Sequence, residues 1–295
     1  MLSAVFRTLR TQGWIDSNAQ YELIVQLTRA SGICLILTRD GVYDTYVKFS
    51  PSAWYGDEAA RASAAHDAHP NLTAKFLGRA TAGGLDILAS KAVAFVALPE
   101  SQVLAEHIDH RFLAGLREYF SAMSTARIPP GLTTINNDEL PEILRGYFET
   151  HEMSSLAMPN LGGSLDELLK SLPPQPQHGD FVLNNIGAAS GGLILFDWED
   201  YARIQLPGLD LYTLLMSMGL GSIRQVHDCA KAHSDLPGLV AQLCQAMHLP
   251  LFVFESLIPA YMLTFLFLKR AFAREVQLRM ETLLLKLPKS NGEIS

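Results

Sequence analysis

The chain has 295 residues, of which 48% are hydrophobic and 18% charged, and a formal net charge of −7 at pH 7. This composition excludes a disordered or fibrous chain, and the length favours one large domain or two medium ones. The acidic excess lies wholly beyond residue 100; such a surface gives solubility, repels nucleic acid and anionic membrane, and attracts cations.

The start of the chain, MLSAVFRTLRTQG, lacks the long apolar core and cleavage site of a secretory signal. Cys34, Cys229 and Cys244 show neither metal spacing nor a disulfide framework. A cytoplasmic protein is the expectation. Strands come first: Tyr21–Thr28, Ile33–Thr38 and Asp44–Phe49, short runs rich in β-branched and aromatic residues separated by the turn signals RASG and RDG. They read as consecutive antiparallel strands. The alanine-rich stretch Asp57–His69 reads as a helix stopped by Pro70, and Leu85–Ser90 and Ala92–Leu98 read as two further strands.

From Gln102 the pattern becomes helical. Helices are expected over Gln102–Ala126, Glu139–His151, Leu165–Ser171 (with Ser164 as N-cap and Glu167 as its capping-box partner), Asp210–Gly219, Ser222–Ala232, Leu236–Met247, Leu251–Arg274 and Val276–Leu287. The apolar run 249–268 approaches membrane-spanning length, but Glu255 and Pro259 sit in its middle, so a buried helix is the better reading. The change near residue 100 predicts an α+β chain of two domains. Residues 1–100 form a small antiparallel-sheet lobe with one main helix, and residues 101–295 form a larger, mostly helical lobe.

Chemistry concentrates in QHGDFVLNNIGAASGGLILFDWED, residues 177–200. Ile186–Ala188 and Leu193–Phe196 read as hairpin arms around the turn ASGG, which brings Asn185 at one base near Asp197 at the other. Asp180, five residues before Asn185, can share the same mouth. Oxygen ligands converging in this way suit Mg²⁺, and a free carboxylate nearby can take a proton from a hydroxyl nucleophile. Phosphoryl transfer needs both.

HGDFVLNN, ILFDWED and PGLDLYTLL resemble the aminoglycoside phosphotransferase and choline kinase family, which has the protein-kinase-like fold. The resemblance implies that Asp180 is the catalytic base and that Asn185 and Asp197 hold Mg²⁺. It implies that His178 positions the catalytic loop and that Asp210 is a structural Asp opening the helix that buttresses it; Asp210 also makes sense unaided as an N-cap. Where protein kinases usually carry Arg before the catalytic Asp and Lys two residues after it, this chain has Gly179 and Val182. Trp198-Glu199 follows the metal Asp in place of Phe-Gly, and no long activation segment follows. These differences favour a small-molecule acceptor over a protein.

The nucleotide-binding parts are sought in residues 1–100. Lys48 in TYVKFS is expected to hold the α- and β-phosphates, with Glu58, or Asp57 in its stead, as its partner. Ser31 and Gly32 in TRASG are candidates for backbone contact with phosphate, and Ala97 and Pro99 lie in the expected hinge against the base. Glu199 and Asp200 are candidates for a cationic acceptor.

The expected activity is transfer of the γ-phosphoryl group of Mg-ATP or Mg-GTP to a hydroxyl of a small molecule such as an aminoglycoside, amino alcohol or sugar. No nucleic-acid or membrane partner is expected, and the oligomeric state is left open. The rival is a non-catalytic pseudokinase-like module that binds nucleotide or a partner. His66, His69, His107 and His110 are at metal-binding spacing on helices but lack third and fourth ligands, so no zinc site is expected.

Overall fold

Alternating apolar residues along three successive strands give one face of a sheet to a core and leave the other for function. The structure, a computed structural model, describes residues 2–27, 33–51, 56–94, 96–97, 110–150, 163–189, 192–218 and 238–268. Strands β1 (Glu22–Leu27), β2 (Ile33–Arg39), β3 (Val42–Pro51), β4 (Phe76–Ala82) and β5 (Leu85–Lys91) form an antiparallel sheet in the order β1-β2-β3-β5-β4. The first three strands are consecutive and antiparallel, as their composition predicts.

Leu35, Leu37, Val47, Phe49, Ile87 and Ala89 point to one face and bury against Val5 and Leu9 of helix α1 (Leu2–Thr11). On the opposite face, Leu88 packs with Ala59 of helix α2 (Gly56–Ala68). Of these two helices the sequence reading places α2, the one main helix expected, and gives no position for α1. The missed signal in α1 is the i, i+4 pair Val5 and Leu9, both fully buried.

The fifth strand also differs. The expected strand Ala92–Leu98 contracts to β6 (Val96–Ala97), which leaves the sheet and pairs with β7 (Ile186–Ala189). The place in the sheet is taken by β4, a half-exposed edge strand pinned to β5 by Arg79, whose Nε donates to Asp86 at 2.8 Å. Hairpin β7–β8 (Gly192–Leu195) is present as expected. The Leu195 N–H donates to Leu72 O at 2.8 Å, anchoring the hairpin beside the segment that follows α2.

The chain divides into two compact units, residues 1–98 with 184–201 and residues 99–183 with 202–295. The hairpin is thus counted with the sheet. The second unit is helical: α3 (His110–Thr125), α4 (Leu140–Thr150), α5 (Ser164–Ser171), α6 (Leu209–Ser217), α7 (Leu239–Ala246), α8 (Leu251–Ser256) and α9 (Ile258–Leu268). The helix expected over Leu251–Arg274 breaks at Leu257. Pro259 cannot donate to the Glu255 carbonyl four residues back, so the chain restarts with Pro259 in the first turn of α9. Among the described residues no helix is long and apolar enough to cross a membrane.

Two expected caps are corrected. Gly163, with φ 54°, occupies the N-cap of α5, and Ser164 is its first helical residue. Gly208, with φ 86°, caps α6, so Asp210 lies inside the first turn and its carboxylate is free for other donors. The expected helices Ser222–Ala232 and Val276–Leu287 lie outside the described residues.

Candidate active site

Lys48 sits in the middle of β3, between Cys34 of β2 and Leu88 of β5 in the ladder. Strand alternation turns it away from the α1 core, onto the α2 side of the sheet. Its Nζ lies 2.8 Å from Glu58 Oε1 in the first turn of α2. Asp57, the other candidate partner, instead accepts from Arg61 Nε at 2.9 Å.

Two more carboxylates converge on the same ammonium: Asp197 Oδ1 at 3.7 Å and Glu199 Oε2 at 3.8 Å. Burial by itself would lower the Lys48 ammonium, but Asp197 and Glu58 overcome it and hold the group well above its ordinary value, firmly charged. Burial pushes the Glu199 carboxyl up to about 7, and Asp197 adds to the effect. Three carboxylates around one ammonium leave an excess of negative charge.

Asp197 itself adopts the left-handed conformation, φ 61° and ψ 61°, between β8 and a 3₁₀ turn over Trp198–Asp200. Asp tolerates this region better than most residues, and such backbone placements concentrate where a side chain must be aimed. The hairpin closes as expected: Ile186 pairs with Leu195, and the Phe196 N–H donates to Asn185 O at 2.9 Å. Asn185 is therefore held opposite Phe196, the residue before Asp197.

The turn after Asp197 rests on an aromatic group. Trp198 Nε1 donates to Leu195 O at 3.1 Å, its ring meets Tyr201 edge-on, and the Tyr201 hydroxyl is 3.3 Å from His69 Nε2. Burial pushes the His69 imidazole down to about 4 from 6.5. The folded chain thus binds this proton less readily than the unfolded one, and stability is lost as pH falls. The loss begins near the unfolded value and is complete below the folded one, about 3 kcal/mol in all. We expect His69→Gln to flatten the drop in thermal midpoint between pH 7 and 4.5; a variant profile parallel to that of the native chain is the contrary result.

In the other unit the HGD segment is bound to a buried carboxylate. Asp210 is fully buried; its Oδ2 accepts from His178 N–H at 2.7 Å and from the Tyr119 hydroxyl, and its Oδ1 accepts from Gly179 N–H at 2.9 Å. Burial raises the Asp210 carboxyl against the lowering pull of His178 and these donors. Gly179 has φ 85°, a conformation open to glycine where protein kinases carry Arg. The buried His178 accepts the Asp180 N–H on Nδ1 at 3.3 Å, and the Val182 N–H donates to Asp180 O at 2.9 Å. Phe181 stacks on Tyr119 with ring centroids 4.3 Å apart. Thus the backbone around Asp180 is held on both sides.

The structure brings together Lys48, Glu58, Asp197 and Glu199 in one unit, with Asn185 at the base of the same hairpin, and gathers His178, Asp180 and Asp210 in the other. Asp200 is buried, and Glu199 faces Lys48. Ala97 pairs with Gly187 through its backbone, while Ser31, Gly32 and Pro99 lie outside the described residues. The place of Glu199 beside Lys48 had no signal in the sequence beyond its two-residue distance from Asp197.

No family model matches the chain, and no curated protein matches it in sequence. Solved structures do match its fold. APH(2")-IIia in complex with GDP and kanamycin is 18% identical, over 96% of this chain and 97% of that one, with a TM-score of 0.56. The aminoglycoside phosphotransferase APH(4)-Ia, with ADP and hygromycin B, is 15% identical over 99% of this chain and 100% of that one, with a TM-score of 0.57. A Haemophilus somnus protein assigned as a fructosamine-3-kinase is 9% identical over 97% of each chain, with a TM-score of 0.60. The small antiparallel sheet and the larger helical part are accordingly those of the bilobal, kinase-like fold of the aminoglycoside phosphotransferases.

Proposed function

We propose that the protein is a small-molecule kinase that transfers the γ-phosphoryl group of a Mg-nucleotide, ATP or GTP, to a hydroxyl acceptor. The observation that carries this reading is the Lys48–Glu58 pair at 2.8 Å with Asp197 beside it. A lysine fixed in this way on a central strand is the group that phosphoryl transfer needs for the α- and β-phosphates.

Mg²⁺ fits the donor set. Oxygens of Glu58, Asp197 and Glu199 all lie within 4.8 Å of one another, and hard oxygen ligands with excess negative charge are what the ion takes. Asp197 and Asn185 are assigned to hold it, with Glu199 at hand. Held there, Mg²⁺ would supply positive charge against the charge that develops on the phosphates. Glu58 keeps the Lys48 ammonium aimed, so that it is not drawn wholly onto Asp197. Asp180, whose backbone His178 steadies, accepts the proton of the acceptor hydroxyl.

The acidic excess beyond residue 100 favours a cationic acceptor such as an aminoglycoside or amino alcohol, and the neighbours solved with kanamycin and hygromycin B agree with this. Titration of ATP and GTP by calorimetry, with and without Mg²⁺, tests the reading. Metal-dependent binding of either nucleotide, followed by turnover with one of these acceptors, is the expected result. Well-folded protein that binds neither nucleotide overturns it, and binding without turnover of any acceptor points to the non-catalytic module.

A further inference from the structure

Arg61 has no part in the chemistry above, yet it is among the most deeply buried large side chains of the molecule, 1% exposed. A guanidinium is costly to bury unless its donors are met. Its Nη1 donates to the main-chain carbonyl of Tyr201 at 2.6 Å, and its Nε to Asp57 Oδ2 at 2.9 Å. Tyr201 ends the turn that begins at Asp197 and carries Glu199, and its own backbone N–H donates to Trp198 O at 3.2 Å. The bond therefore joins the middle of α2 to the segment bearing two of the carboxylates that face Lys48.

A second tie runs parallel to it. His69, one residue beyond the end of α2, meets the Tyr201 hydroxyl at 3.3 Å and stacks over Trp198 with centroids 6.4 Å apart. Glu58 and Arg61 are three residues apart on α2, so they lie on neighbouring parts of one face. Rotating α2, or sliding it by a turn, would take Glu58 from Lys48 and at the same time leave a buried guanidinium and a buried carbonyl unmet. In kinases the position of this helix decides whether the Lys–Glu pair forms at all. We propose that Arg61 is a positioning residue that clamps α2 to the 198–201 turn, and so holds Glu58 on Lys48 whether or not nucleotide is bound.

The clamp is a property of the fold, while its effect on turnover rests on the proposed kinase activity; two measurements keep these apart. The first is amide hydrogen exchange of the full chain without nucleotide, comparing the native protein with Arg61→Met and Arg61→Lys. Exchange in residues 56–68 and 198–201 should rise together by about tenfold or more in Arg61→Met, with the central strands over 33–51 unchanged, and less in Arg61→Lys, which keeps one donor. Unaltered exchange in α2, or a uniform rise across the whole unit, overturns the clamp. This result stands even if the native chain binds no nucleotide.

The second measurement is a double-mutant cycle on turnover. Arg61→Met alone should lower kcat by about 100-fold, the scale of a misplaced catalytic constellation, with Arg61→Lys recovering part of it. In a Glu58→Gln background Arg61→Met should add little, because the group it positions is gone. Losses that simply multiply show that Arg61 does not act through Glu58.

Discussion

Asp180→Ala should lower turnover by about 1,000-fold, within the range expected for losing a general base, while Mg-nucleotide affinity stays within about twofold. The split follows from the role proposed for Asp180 at the acceptor hydroxyl, and its backbone would still be held through His178 Nδ1. Asp197 should behave in the opposite manner. Asparagine is the informative replacement, since it tolerates the left-handed backbone at φ 61° and removes only the charge. Asp197→Asn should abolish the difference between nucleotide binding with and without Mg²⁺, and turnover should fall with it. Calorimetry and initial rates on the two variants read both effects. If Asp180→Ala turns over at the native rate, the base is another group; if Asp197→Asn keeps its metal dependence, the carboxylate is not a ligand.

The parts of this arrangement that were legible in the sequence are those fixed by local spacing. A two-residue strand period places Lys48 opposite Val47 and Phe49, and a hairpin with a glycine turn brings Asn185 toward Asp197 whatever surrounds it. What tertiary placement decides was not legible. Glu58 and Asp57 are adjacent carboxylates; only the docking of α2, which sends Asp57 to Arg61, selects Glu58 for Lys48. Nothing local in the alanine-rich helix announces that Arg61 meets a carbonyl 140 positions away. Strand β4 was missed since its side chains are half exposed and a glycine interrupts it, both of which weaken a period-two pattern. The reading of Asp210 as an N-cap is corrected by the structure. Gly208 takes that position and frees the carboxylate to accept from the HGD segment instead.

That displacement makes Asp210 the acceptor on which the hold on the HGD segment depends. Asp210→Ala leaves the His178 and Gly179 N–H groups and the Tyr119 hydroxyl without their acceptor in a site with no exposure. Unmet buried donors cost about 1–3 kcal/mol each, so a loss of about 3–5 kcal/mol is expected, lowering the thermal midpoint by about 10 °C. Tyr119→Phe separates the contributions: the ring keeps its stack on Phe181, both backbone donors keep their acceptor, and the loss should be about 1 kcal/mol. Asp210→Asn should fall between the two, because its amide nitrogen turns one acceptor into a donor facing an N–H. Thermal unfolding of the three variants orders them. A midpoint for Asp210→Ala no lower than that for Tyr119→Phe would mean that the HGD segment is held by its own glycine turn and by His178, and that the buried carboxylate is incidental to it.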